Sequence, residues 1–117
     1  MQAKVKVSES NAQKAIIQWL GCHRGVFAFR VNNMGVPLWT NGEKRFRHAP
    51  DLGLPDIICC YQGRMICLEV KSSTGKQSKH QLEFQRKVEW AGCEYYVVRS
   101  IEDVDQALKA KKVVEKI

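Results

Sequence analysis

Apolar positions first fall into a regular pattern at residue 10. Ala12, Ala15, Ile16, Trp19 and Leu20 recur at i, i+3, i+4, i+7 and i+8, which predicts a helix from Ser10 to Gly21. Ser10 and Gln13 have the spacing of a capping box, and Gly21 is a stop signal. "VFAFRVN", residues 26–32, alternates and is rich in strand formers, so it predicts a strand. Residues 33–54 carry three glycines and two prolines and read as a long loop, with room for a small hairpin at Asn41-Gly42. Apolar runs on either side of Gln62-Gly63 predict a hairpin with strands near 56–61 and 64–71. "SSTGKQ" is a turn, and residues 78–91 read as a helix with Leu82, Phe84, Val88 and Ala91 inward. "EYYVVRS" predicts a strand, and residues 101–112 a helix with Ile101, Val104, Ala107 and Leu108 on one side. "VVEKI" at 113–117 fits an edge strand or an unravelled end. The order α-β-loop-β-β-α-β-α predicts a single α/β domain over residues 1–117, with a mixed sheet flanked by helices.

The hairpin pattern places charge oddly. A two-residue turn pairs Tyr61 with Arg64, so paired numbers sum to 125 and Asp56 meets Glu69. Counted from the turn this is a non-hydrogen-bonded pair, in which side chains stand closest. Lys71 lies two residues beyond Glu69 and points to the same face. Facing carboxylates repel and destabilise a sheet. Lys71 can offset part of that, and a divalent cation offsets it better, since Mg²⁺ is commonly held by one or two carboxylates plus waters and phosphates. Such a site suits phosphodiester hydrolysis, with Lys71 orienting or deprotonating a water or stabilising developing charge. Pro50-Asp51 is a weaker candidate, because Leu52-Gly53-Leu54-Pro55 after it cannot be a central strand.

Composition narrows the partner. The net charge is +7, which suggests an anionic partner, most often nucleic acid. Five cysteines, odd in number and mostly within apolar runs, read as small buried hydrophobes, and their spacing lacks the pairs of a zinc site. Cys59 and Cys60, as strand neighbours, are expected on opposite faces. No apolar run is long enough for a membrane span, and "MQAKVKVSES" lacks a signal-peptide core, so the cytosol is the expected location.

Pro55-Asp56, twelve residues, then Glu69-Val70-Lys71 is the pattern of the PD-(D/E)xK nucleases. Gly53-Leu54 before it, the hairpin with Gly63, Ser78 and Gln81 on the next helix, "VVR" at 97–99 and Glu9 at the opening helix resemble the VRR-NUC branch over residues 9–108. The resemblance implies a restriction-endonuclease-like core and an Mg²⁺- or Mn²⁺-dependent endonuclease, with no further small-molecule cofactor. It implies metal ligands at Asp56 and Glu69, the Val70 carbonyl as a third, and Lys71 as the catalytic lysine. It also implies that Gln81 positions the site and that Glu9 approaches the metal or its waters. Both have structural readings too: Ser78 and Gln81 spell a capping box, and Glu9 suits a helix N-terminus. Minimal members resemble bacterial and virus-encoded nucleases that act on DNA structures, some as dimers on four-way (Holliday) junctions. Larger relatives act on flaps. A homodimer acting on branched DNA in a bacterial or virus-infected cytoplasm is therefore expected.

Arg30, Lys44, Arg45, Arg47, His48, Lys76, Lys79, His80 and Arg86 are candidate phosphate contacts. Trp39 and Phe46 could stack on exposed bases, or Trp39 could pack the loop. Arg99 could support the site or pair in the core, and His23 reads as packing. Rival readings are a non-catalytic nucleic-acid-binding module, a partner-dependent nuclease subunit, and a basic protein that docks an acidic one.

Overall fold

A computed structural model describes residues 8–31, 36–40, 42–47 and 53–110. Helix α1 (Glu9–Gly21) leads into strand β1 (Val26–Arg30). Strands β2 (Val36–Thr40) and β3 (Glu43–Arg47) follow, then the hairpin β4 (Ile57–Tyr61) and β5 (Arg64–Val70). Helix α2 (Lys79–Trp90), strand β6 (Glu94–Val98) and helix α3 (Ile101–Lys109) complete the described chain.

The main sheet runs β1-β4-β5-β6, with β5 and β6 parallel and the other pairs antiparallel. It is the expected mixed sheet flanked by helices. Its registry is the expected one, from Tyr61–Arg64 at the turn to Ile57–Leu68 at the other end. Gln62 and Gly63 both have positive φ, 51° and 73°, as the primed turn of a tight hairpin demands. The segment expected as a long loop contains a two-stranded sheet, β2 with β3, turning at Gly42 as the Asn41-Gly42 signal allowed. His48 and the terminal 113–117 strand lie outside the described residues.

Alternation along the strands sorts the two faces. Ile57, Cys59, Ile66, Leu68, Val70 and Val98 pack with Ile16 and Leu20 of α1 and Val104 and Leu108 of α3. Each such aliphatic side chain contributes about 1.5–3 kcal/mol by leaving water. The opposite face carries Cys67, Glu69 and Tyr95, and α2 lies over that side. Cys59 is buried and Cys60 exposed, as strand alternation requires. Cys22 is exposed as well, so the cysteines are not uniformly core residues.

Two helix readings are corrected. The α1 cap is Ser8, whose Oγ accepts Asn11 N–H at 3.2 Å, and not Ser10; this brings Glu9 into the first turn. In helix α2 Phe84 and Val88 turn inward as expected, but Leu82 and Ala91 do not. Leu82 is 43% exposed and Ala91 is exposed, while Gln81, Phe84, Gln85 and Val88 are half-buried at helical spacing. Polar residues occupy the inward stripe because what they meet is polar.

Candidate active site

The charged end of the hairpin rests on three local arrangements. The first is at Asp56. The ladder ends at Ile57–Leu68, and Asp56 N–H donates to the Leu68 carbonyl at 3.1 Å. Asp56 is therefore not the direct cross-strand partner of Glu69. Its carboxylate instead takes the place of a backbone acceptor, with Oδ2 receiving Val70 N–H at 2.7 Å. On the other side, Val31 N–H donates to the Asp56 carbonyl at 2.8 Å. Asp56 is thus pinned between β1 and β5, and its carboxylate still reaches that of Glu69.

The second is Glu69, a carboxylate only 2% exposed. Gln81 Nε2 donates to its Oε1 at 2.6 Å, and the Tyr95 hydroxyl donates to Oε2 at 3.4 Å. Lys71 Nζ is 3.7 Å from Oε1. Burial pushes the Glu69 carboxyl up to about 8, the Asp56 carboxylate pushes in the same direction, and Lys71 and Tyr95 offset part of it. Tyr95 is likewise raised, by burial first and by Glu69 second.

The third is Gln81, where the helix-capping and site readings hold together. Ser78 Oγ accepts Gln81 N–H at 3.2 Å, and Gln81 Oε1 accepts Ser78 N–H at 2.9 Å. The amide oxygen closes the capping box and the amide nitrogen holds Glu69. Only an amide does both, since a glutamate at this position lacks the donor.

The loop into Asp56 and the start of α2 are tightly apposed. Gly53 has φ +90°, and a Cβ there would collide with the His80 carbonyl and lie 2.8 Å from Gln81 N. Glycine is required on both counts.

Glu9 is brought near but not into the acidic pair. Its Oε1 accepts Ser72 N–H at 3.3 Å, and a Cβ at Gly75 would lie 3.2 Å from Glu9 Oε1 and 3.4 Å from Lys71 Cδ. Among the described residues no three of His, Cys, Asp and Glu converge as a metal-holding group. The Glu9 carboxylate meets the connector after Lys71 through its bond to Ser72. Arg99 Nη1 donates to the Ser72 carbonyl and so supports the same connector; among the described residues it forms no ion pair.

Of the candidate phosphate contacts, Lys76, Lys79, His80 and Arg86 are exposed around and along α2. Arg30 is exposed and donates to Gln13 Oε1 at 2.8 Å. Lys44, Arg45 and Arg47 lie on β3. His23 stacks on Trp19, with ring centroids 4.1 Å apart, which is the packing role expected. Tyr95 and Gln77 were missed as site neighbours. The signal was the parallel β5–β6 register, which sets Cys67 beside Tyr95 and so puts Tyr95 one diagonal step from Glu69. Nothing in the local pattern states that register.

The donor set suits a hard divalent cation. Two adjacent acidic side chains, one of them buried and held high in pKa, are offset only in part by Lys71 at 3.7 Å. Oxygen ligands of this kind fit Mg²⁺ or Mn²⁺ and not a sulfur- or imidazole-preferring ion.

An α/β fold with a mixed sheet, carrying an acidic pair and a lysine at one end of its central hairpin, is the class that these features define. A solved structure described as a VRR_NUC domain shares that fold. It is 21% identical, covers 86% of this chain and 90% of its own, and superposes with a TM-score of 0.51. No family model and no curated protein matches the chain.

Proposed function

We propose that the protein is a divalent-metal-dependent endonuclease that hydrolyses phosphodiester bonds in DNA, selecting branched structures such as four-way junctions. The observation that carries this reading is the buried Glu69 beside Asp56, a like-charge arrangement that the protein's own groups leave poorly balanced. Asp56 and Glu69 are the residues assigned to hold Mg²⁺ or Mn²⁺, with the Val70 carbonyl beside them. When bound, the ion lowers the pKa of a water and draws charge from the scissile phosphate. Lys71 orients that water or stabilises developing charge, Gln81 keeps Glu69 in place, and Glu9 meets the connector that follows Lys71. The similarity to a VRR_NUC domain supports the reading at the level of fold. The +7 charge and the exposed Lys76, Lys79 and Arg86 supply phosphate contacts. Cleavage of both arms of a symmetric junction calls for two sites related by a two-fold axis, hence a homodimer. Five free cysteines suit a reducing cytoplasm.

The test is cleavage of four-way junction, flap and plain duplex DNA at low salt with Mg²⁺, Mn²⁺ or EDTA, beside Asp56→Asn. Metal-dependent cleavage that falls at least ~10³-fold in the variant is expected, with the junction cut fastest. DNA binding with no cleavage under either metal overturns the stand-alone enzyme in favour of a binding module or a partner-dependent subunit. Sedimentation of the protein alone and on the junction tests the dimer.

A further inference from the structure

Glu69 is gripped from two elements. Gln81 of α2 holds Oε1, and a carboxylate with one such contact can still pivot about it. Tyr95 of β6 meets the other oxygen, at 3.4 Å. Tyr95 is 5% exposed, and its ring lies against Phe84 with centroids 6.5 Å apart. A phenylalanine would fill that space equally well, so packing does not account for the hydroxyl. The Gln77 side chain also acts on the hydroxyl, drawing its pKa back against the rise that burial causes. Gln77 Nε2 donates to Gln85 Oε1 at 3.0 Å, and Gln85 Nε2 donates to Glu89 Oε1 at 2.6 Å. Gln77 is thus tied to the middle of α2 through Gln85, on the side of the helix that faces Tyr95 and the buried carboxylate.

We propose that Tyr95 is a positioning residue, whose hydroxyl, oriented by Gln77, fixes the rotation of the Glu69 carboxylate and so strengthens divalent-cation binding at the Asp56–Glu69 end of the hairpin. The inference rests on the metal-dependent reading above. Groups that orient a ligand without touching the ion change metal affinity by about 10–100-fold when removed. The long Tyr95 contact belongs at the lower end of that range.

The experiment is calorimetric titration of the full chain with Mn²⁺ alone, for wild type, Tyr95→Phe, Gln77→Ala, Gln81→Ala and Glu69→Gln, with melting in EDTA to check the fold. Junction cleavage is then followed against Mn²⁺ concentration. Tyr95→Phe is expected to raise the Mn²⁺ Kd about tenfold and to raise the half-saturating Mn²⁺ for cleavage equally. The rate at saturating Mn²⁺ should move much less, and melting in EDTA should stay near wild type. Gln77→Ala should shift the Kd the same way by about threefold, which keeps the test alive if Tyr95→Phe does not fold. Added to Glu69→Gln, Tyr95→Phe should have no further effect. An unchanged Kd in a folded Tyr95→Phe, with weakened binding in Gln81→Ala, overturns the role of Tyr95 and leaves the metal site standing. A wild type that binds no Mn²⁺ at millimolar concentration overturns the metal reading, and this inference with it.

Discussion

Two glutamates are buried in this sheet, and they are treated in opposite ways. Glu94, at the start of β6, receives a two-pronged bond from Arg64, with Nε at 2.8 Å and Nη2 at 2.7 Å. The Tyr96 hydroxyl donates to it at 2.7 Å, and Arg64 continues to the Ala107 and Leu108 carbonyls in the last turn of α3. Charge and helix end are satisfied together, beside a 790 Å³ cleft in which Arg64 and Lys109 stand with Glu94 and Asp105. Glu69, at the far end of β5, has neutral donors on its oxygens, a second carboxylate beside it and its cation at 3.7 Å. Burial of a carboxylate therefore does not single out a site. What differs at Glu69 is a second carboxylate beside it and a cation held farther off than the Arg64 fork. That cleft lies at the Glu94 end, so a concavity does not by itself mark the acidic pair.

The comparison breaks most visibly if Arg64 is removed. Arg64→Ala leaves Glu94 buried without its fork, and urea denaturation should show a loss of about 3–5 kcal/mol, with or without metal.

The next largest effect belongs to pH. Glu69 is raised from 4.5 to about 8 in the fold, so the metal-free native state holds a proton that the unfolded chain releases. Stability in EDTA should be full below about pH 4.5, fall as pH rises toward 8, and level off above, by about 5 kcal/mol at most. Glu69→Gln should flatten that slope and be the more stable protein at pH 8. Mn²⁺ should restore wild type there and do little for the variant. A wild-type profile that stays flat from pH 5 to 8 contradicts the assigned imbalance.

Smaller and more discriminating is Gln81. Gln81→Glu retains the capping acceptor and replaces the donor to Glu69 with a like charge, so it should cost about 1–2 kcal/mol at pH 8 and less at pH 5. Gln81→Ala loses the capping-box acceptor and should cost about 1 kcal/mol at both pH values. Least of all, Leu82→Gln should change stability by under about 0.5 kcal/mol, because Leu82 faces water.

That last variant marks where reading the residues in order failed. The α1 stripe and the hairpin register were legible because each has a local rule: helical spacing in one, a two-residue turn with Gln62 and Gly63 at positive φ in the other. The α2 face was legible only in part. Hydrophobic periodicity selects Leu82 and Ala91, whereas the inward stripe includes Gln81 and Gln85, whose partners are Glu69 and Gln77. A polar underside is invisible until its polar partners are known to lie beneath it. Asp56, Glu69 and Lys71 could be gathered at one end from register alone. The way Asp56 leaves the ladder to accept Val70 N–H, and the arrival of Tyr95, depend on pairings among β1, β5 and β6 that no short stretch encodes.

Gly53 has an implication for how such a domain can be diversified. Its backbone lies so close to His80 and Gln81 that the strand carrying Asp56 and the helix carrying Gln81 share one anchor. Exchanges at the exposed positions of α2 can alter the surface while leaving the two acidic side chains and their amide in register, provided Gly53 is kept. At residue 53 itself no such latitude exists, since a single methyl group there would push the anchor's two halves apart. Diversification of this domain is thus limited less by its exposed helix than by one glycine.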